Sequence, residues 1–480
     1  MSSIKKNVVY SSILTISGYL FPLLTFPYTT RVLGVNNIGI CNFVDSIIQY
    51  FIYFSMMGIT TVGIREIARS KGNQQLLSKT YSSLLSLNLL TTIIALFILT
   101  VCIFCIPQIR EYRFLFWIGS AKILANTLLI EWLFKGLEDF KYITIRTIIV
   151  RGLYVVLVFL LVHKPEDYTI YFALTSFMVV GNATINLLYS RKFVTVSFID
   201  IKWKHYCSPF VTLGIYNLLT SMYTTFNVAF LGFNSNTTEV GYYSTAIKLY
   251  GIIMSFYTAF TGVMMPRMSV LLEENNITEF KRMAQKSVEV LFAFAIPLII
   301  FAECCASDIV YVIAGAGYEG AITPMRIVMP LMLVIGYEQV LVLQMLSPMR
   351  KDTAILKNSL FGALVALGLN IAIVPSYASK GTAIVWVFSE ISVMLSAQYY
   401  VNKFVKYRMP IRAFAKRLFF AFPLFLLSLA ATHFIQSRIG VLCVVAFISF
   451  FGCAMVEIFV LKNELILSNI DILKSKLKKR

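Results

Sequence analysis

Residues 18–50, GYLFPLLTFPYTTRVLGVNNIGICNFVDSIIQY, hold two long apolar segments joined by the turn Leu33-Gly34-Val35-Asn36-Asn37. Pro22 and Pro27 interrupt the first segment, and Asp45 and Gln49 sit inside the second. A helix in lipid tolerates such residues only where they face other helices or a water-filled space, because hydrocarbon offers no partner to a freed backbone group or a charge. The two segments therefore read as a pair of spans lining a cavity.

The rest of the chain fits that reading. With 58% hydrophobic and 14% charged residues over 480 positions, and a mean hydropathy of +0.77, it is too apolar for a set of soluble domains. An all-α polytopic membrane protein is expected. The formal charge of +19 would suggest nucleic acid in a soluble protein. Here the basic residues fall in short loops between apolar runs, so the expected partner is the bilayer and not nucleic acid.

Cutting the chain wherever a run of roughly 20 apolar residues meets a polar turn gives about fourteen spans. They cover 8–30, 38–64, 80–106, 113–134, 143–163, 168–190, 208–232, 240–265, 288–313, 321–346, 355–375, 381–400, 414–434 and 439–461. The first run continues past any cleavage pattern, so that helix is expected to stay in place. With a cytoplasmic amino terminus, 32 of the 42 Lys and Arg lie inside, 6 outside and 4 within spans, which puts both termini in the cytoplasm. The charged segment before the ninth span reads as its amphipathic lead-in, and the tail Lys474–Arg480 as solvated or in contact with anionic lipid.

The eight Cys lie mostly in apolar runs with no His near, and His163, His205 and His433 have no partners at ligand spacing. They read as packing or surface residues, and no cofactor or metal is expected. Glu303, Asp308 and Glu457 stand at span ends, where they are expected to snorkel to the interface.

A weak internal repeat sets the organisation. Leu33-Gly34 aligns with Leu231-Gly232, then Gly39 with Gly241 and Arg65 with Arg267 after a two-residue insertion. Six spans separate the copies, so both start on the same side and form a parallel repeat, as transporters use. The expected domains are an amino-terminal six-helix lobe (1–200), a second six-helix lobe (201–402), and two further helices with a basic tail (403–480).

Residues three, four or seven apart share a helix face. That spacing groups Asn42, Asp45, Gln49 and Tyr53 in the second span; Ser244, Lys248, Gly251 and Ser255 in the eighth; Asn217, Ser221, Thr224 and Asn227 in the seventh; and Thr144, Thr147, Arg151 and Tyr154 in the fifth. Lys122 and Asn126 lie one turn apart in the fourth. An unpaired cation at such depth costs at least ~2.5 kcal/mol on insertion scales, so each faces water, a partner or a substrate. Lys122, Arg151 and Lys248 could equally form ion pairs with Asp45, Glu338 or Glu390. The excess of cations over acids in the spans points to anion binding. The candidate substrate residues are Lys248, Arg31, Lys122, Arg151, Asn42, Gln49, Ser244 and Asn217, and Asp45, Glu338 and Glu390 are candidates for proton or ion coupling.

The run from Asn7 to Arg69 resembles the start of the bacterial polysaccharide flippases, the O-antigen and capsule repeat-unit translocases of the multidrug/oligosaccharidyl-lipid/polysaccharide superfamily. The matching features are Pro27-Tyr28, Arg31-Val32-Leu33-Gly34, Gly39, Tyr50, Gly58, Gly63 and Arg65-Glu66-Ile67-Ala68, with Gly241-Tyr242-Tyr243-Ser244, Ala246-Ile247-Lys248-Leu249 and Pro266-Arg267-Met268-Ser269 further on. The resemblance implies two parallel-repeat six-helix lobes in a V shape plus two carboxy-terminal helices, with helices 1, 2, 7 and 8 framing a cationic cavity. It implies translocation of an undecaprenyl-diphosphate-linked oligosaccharide across the bacterial inner membrane by alternating access, with Lys248 as a cavity cation. The polymerase and chain-length regulator of such a pathway are candidate partners. Alternatives are a multidrug or toxin cation antiporter on the same fold, which would want acidic lobes, and a membrane enzyme of the pathway, which would want a large outer loop or an intramembrane His.

Overall fold

The computed structural model describes residues 3–197, 201, 203–222 and 225–462, which form helices joined by short turns with no strand among them. Thr224 and the basic tail Lys474–Arg480 lie outside the described residues. The helices are α1 (Ser3–Met56), α2 (Ile59–Ser70), α3 (Gln74–Cys105), α4 (Pro107–Glu111), α5 (Arg113–Leu128), α6 (Glu131–Gly136), α7 (Phe140–Leu161), α8 (Tyr168–Ser190) and α9 (Trp203–Ser221). There follow α10 (Phe226–Asn234), α11 (Thr237–Glu273), α12 (Ile277–Ala314), α13 (Ile322–Val328), α14 (Leu331–Gln339), α15 (Asp352–Val405), α16 (Ile411–Phe434), α17 (Arg438–Ala446) and α18 (Gly452–Met455).

Among the described residues, ten helices are long and apolar enough to cross a membrane, or eleven if the segments bent by 41° about residues 329–330 make one span. The protein is therefore an all-α, multi-pass membrane protein. The two longest helices, α1 and α15, each carry a non-helical residue in mid-course: Gly34 (φ 75°, ψ 166°) and Ala378 (φ 44°, ψ −126°). Gly34 takes a conformation that a side chain would strain. Each half of α1 and α15 is long enough to span, and a total of fourteen stands as a proposal resting on those two bends and on the α9–α10 pair.

By its contacts the chain forms two compact units, one of residues 1–244 and 366–382, the other of 245–365 and 383–480. The lobe boundary expected at 200/201 follows sequence symmetry instead of contact, and remains a proposal.

In the first unit, α1 packs against α3, α5, α7 and α10. Behind it lies a core of Tyr81, Trp132, Leu133, Phe134, Ile143 and Phe210. Helices approach closely at two glycines. A methyl group on Gly63 would strike the Trp132 ring, and one on Gly136 the Ile67 side chain. In the second unit α12 is the central element, packed by α14, α16 and α17. It begins eleven residues before the expected ninth span, so the charged lead-in is continuous with the helix from Ile277 on, while its earlier residues end α11 at Glu273 and form the turn 274–276.

Glu457 corrects one expectation. It does not snorkel: it is buried against Arg417, with Nε to Oε1 at 2.6 Å and both side chains at most 10% exposed. Arg417 also lies 5.3 Å from the Phe292 ring centre. A carboxylate that can reach a guanidinium on a neighbouring helix gains more from the pair than from the headgroup region.

Candidate functional site

The second half of α1 has the face that its spacing implied. Asn42, Asp45, Gln49 and Tyr53 are half-buried, while Phe43, Val44, Ile47 and Ile48 between them are buried. The apolar positions pack inward, which leaves the polar row toward more open space.

Lys122 stands behind this row, on α5. Its Nζ donates to Asp45 Oδ1 at 2.5 Å and sits 4.5 Å from the centre of the Phe172 ring. The lysine side chain is 8% exposed and the aspartate 50%. The ammonium is therefore held between a carboxylate and a π-face, and the more exposed partner is Asp45. Two candidates drawn from separate roles, Lys122 for substrate and Asp45 for coupling, are brought together as one ion pair.

Arg151 on α7 is half-buried. Its Nη1 donates to Ser17 Oγ at 2.5 Å and to the Leu14 carbonyl at 3.2 Å, both on the first half of α1. Arg31 is exposed and donates to the Pro27 carbonyl of its own helix at 3.0 Å. Asn217 on α9 is exposed, and its amide donates to the Met57 carbonyl at 3.1 Å, just past the end of α1. Ser244 is buried.

The repeat-related turns meet in this unit. A methyl group on Gly39 would overlap the Thr237 carbonyl, one on Gly241 the Val35 carbonyl, and one on Gly232 the Phe43 ring. Thr237 also hydrogen-bonds Asn36. Further along, the Tyr50 hydroxyl donates to the Ser221 carbonyl at 2.9 Å, and the Gly58 N–H to the Phe210 carbonyl at 3.0 Å. The second half of α1 thus lies against α9, α10 and the start of α11 at both ends and in the middle. Absence of a side chain at these glycines is what permits the contact.

The second unit holds the remaining candidates. Lys248 is half-buried on α11. Glu390 on α15 is buried and accepts from Trp386 Nε1 at 2.9 Å. The Trp386 ring meets the buried Tyr250 edge-on at 5.2 Å. Glu338 on α14 is half-buried and close enough to Glu390 for their charges to interact. Two of the three carboxylates expected to couple transport, Glu338 and Glu390, therefore lie within electrostatic range of each other, with Trp386 and Tyr250 beside Glu390, and the third, Asp45, is the partner of Lys122.

Sequence reasoning missed Phe172, Ser17 and Tyr250 as partners of these charges. Trp386 was within reach, since it stands four residues before Glu390 and so on its face. The other three lie on different helices, where only packing decides who meets whom.

Residues 4–272 match the model of a family described as polysaccharide biosynthesis protein. A protein of Escherichia coli (strain K12) named "Putative O-antigen transporter" is 25% identical over 393 residues, covering 81% of this chain and 94% of that one. Among solved structures, "Lipid II flippase MurJ, inward closed conformation" matches with a TM-score of 0.79 at 13% identity, over 94% of this chain and 98% of that one. "Inward-facing conformation of a multidrug resistance MATE family transporter of the MOP superfamily" matches with a TM-score of 0.60 at 14% identity, over 82% and 96%. At these identities the two structures establish a shared fold.

Proposed function

The chain belongs to the family of polysaccharide biosynthesis proteins, and from that premise we propose that it is a flippase for lipid-linked oligosaccharides. Its cargo is an undecaprenyl-diphosphate-linked repeat unit, carried from the cytoplasmic to the outer leaflet of a bacterial inner membrane by alternating access, for surface polysaccharide such as O-antigen or capsule. Both termini are cytoplasmic. The observation that carries this reading is the half-buried polar face Asn42–Asp45–Gln49–Tyr53 within a multi-pass member of that family. The similarity to a protein named as an O-antigen transporter supports the same cargo class.

The chemistry divides among the candidates. A diphosphate needs fixed positive charge in a place of low dielectric, where each pairing is stronger than in water. Lys248 is assigned that role, with Arg31 and Arg151 as further cations. A glycan needs amides and hydroxyls, which Asn42, Gln49, Asn217 and Ser244 supply. Lys122 acts through Asp45, whose exposed side it orients. The Glu338–Glu390 pair is assigned proton or ion uptake, since two close carboxylates hold one proton or cation more readily than two bare charges. A polymerase and a chain-length regulator are the protein partners this role would bring.

A second reading, a cation antiporter on this fold, is favoured by that same carboxylate pair. One experiment separates them. In a strain lacking the protein, lipid-linked oligosaccharide should accumulate and surface polysaccharide should vanish, both restored by the wild-type gene and not by Lys248→Ala at equal protein level. Drug sensitivity without accumulation would favour the antiporter, and full restoration by Lys248→Ala would remove that residue from the site.

A further inference from the structure

A groove of about 450 Å³ opens beside the first turns of α7 and the last turns of α8, in the first unit and apart from the polar face of α1. Arg146 lines it and is only 4% exposed. One guanidinium nitrogen, Nη2, donates to Glu131 Oε1 at 2.9 Å, while Nε and Nη1 are buried with no hydrogen-bond partner among the described residues. A guanidinium carries five donors, and leaving buried ones unmet is costly.

No neighbouring acid can meet that demand. Glu131 is already shared with Lys135 at 3.1 Å. Asp139 is used on both oxygens: Oδ1 accepts from the Tyr142 N–H at 3.3 Å, and Oδ2 from the Tyr189 hydroxyl at 3.0 Å. Further positive charge gathers nearby. Lys141 is exposed in the groove wall, Lys192 Nζ stands 4.9 Å from the Tyr189 ring centre, and the 22-residue α7 presents its positive amino end here. The groove asks for an anion with several acceptor oxygens.

Its walls say what else the ligand carries. Ile145, Ile149 and Ile185 are 45%, 63% and 39% exposed. Ile145 and Ile149 begin an exposed apolar row on α7 that continues through Leu153 and Val156 to Leu160. At 1.5 Å per residue that row is about 22 Å long, the reach of an acyl chain. Tyr142 and Tyr189 stack at 3.7 Å beside the cations, as aromatic residues do at a headgroup boundary. A cationic, aromatic mouth leading to an apolar strip matches an amphiphile better than a free ion. We propose that this groove binds the phosphate of an anionic phospholipid, its acyl chain lying along the Ile149–Leu160 row, in the leaflet that borders the basic loops.

The test is native mass spectrometry of the purified protein delipidated and re-exposed to defined lipids. Wild-type protein should retain phosphatidylglycerol about tenfold more than phosphatidylcholine. Lys141→Glu, an exposed change that leaves the fold intact, should erase the preference, and Arg146→Lys, which keeps the Glu131 pair, should weaken it severalfold. Equal retention of both lipids, or an undiminished preference in both variants, overturns the proposal. Inorganic phosphate is the control: displacement of phosphatidylglycerol by millimolar phosphate would make this a free-phosphate site and overturn the lipid assignment.

Discussion

The Asp45–Lys122 pair should be energetically lopsided. Lys122 is 8% exposed and its ammonium is 2.5 Å from Asp45 Oδ1, whereas Asp45 is 50% exposed. Removing one member of a buried pair costs about 3–5 kcal/mol, because the other charge stays behind without compensation. Asp45→Ala strands the buried ammonium. The Phe172 ring 4.5 Å away returns about 0.5–2 kcal/mol of cation–π attraction. The net cost should therefore fall at the lower end, about 3 kcal/mol, or roughly a hundredfold in the folded ratio. Lys122→Met leaves only a half-exposed carboxylate, which in the proposed water-filled cavity should cost about 1 kcal/mol or less. The double variant should recover most of the loss. Unfolding of the purified proteins by titration from mild micelles into a denaturing detergent gives the three differences. Equal costs for the two single variants, or a double variant as unstable as their sum, would refute the view that burial of Lys122 sets the energetics.

Other outcomes follow from close contacts and from the polar face. Gly39→Ala and Gly241→Ala each drive a methyl group into a backbone carbonyl, and overpacking of this kind costs about 1–3 kcal/mol; both should lower the unfolding midpoint, while Gly152→Ala, which meets open space, should not. Glu457→Ala leaves the buried Arg417 unpaired and should cost about 3–5 kcal/mol, with Arg417→Met/Glu457→Leu close to neutral in the same assay. Single cysteines at positions 42 and 49 should react with a water-soluble maleimide, and one at the buried position 47 should not. Equal reaction at all three would remove the proposed face.

The polar face was legible because a helix imposes its own period: once α1 was recognised, Asn42, Asp45, Gln49 and Tyr53 had to share a side. The class of the protein was legible for a similar reason, since apolar runs of span length admit few folds. The glycines of the repeat were visible in the sequence as matched positions, but their meaning was not. That Gly39 and Gly241 touch across two different helices is a fact of packing. Ion pairs behaved likewise. Asp45 and Lys122 are 77 residues apart, and Arg417 and Glu457 are 40 apart. Composition supplied candidates on each side without saying which would meet. The kink at Ala378 falls in the short stretch between the expected spans 355–375 and 381–400, bracketed by Pro375 and Gly381, just as the bend at Gly34 stands in a turn already marked by Asn36 and Asn37.

The most direct measurement of the central claim is transport by the purified protein alone. Reconstituted into liposomes holding a labelled undecaprenyl-diphosphate oligosaccharide, the wild-type protein should expose the outer-facing label to the inner aqueous space, or the reverse, within minutes. Lys248→Ala should slow this at least tenfold, and a cationic dye should fail to compete. No movement of the lipid-linked sugar above protein-free liposomes, with saturable uptake of the dye instead, would contradict the account.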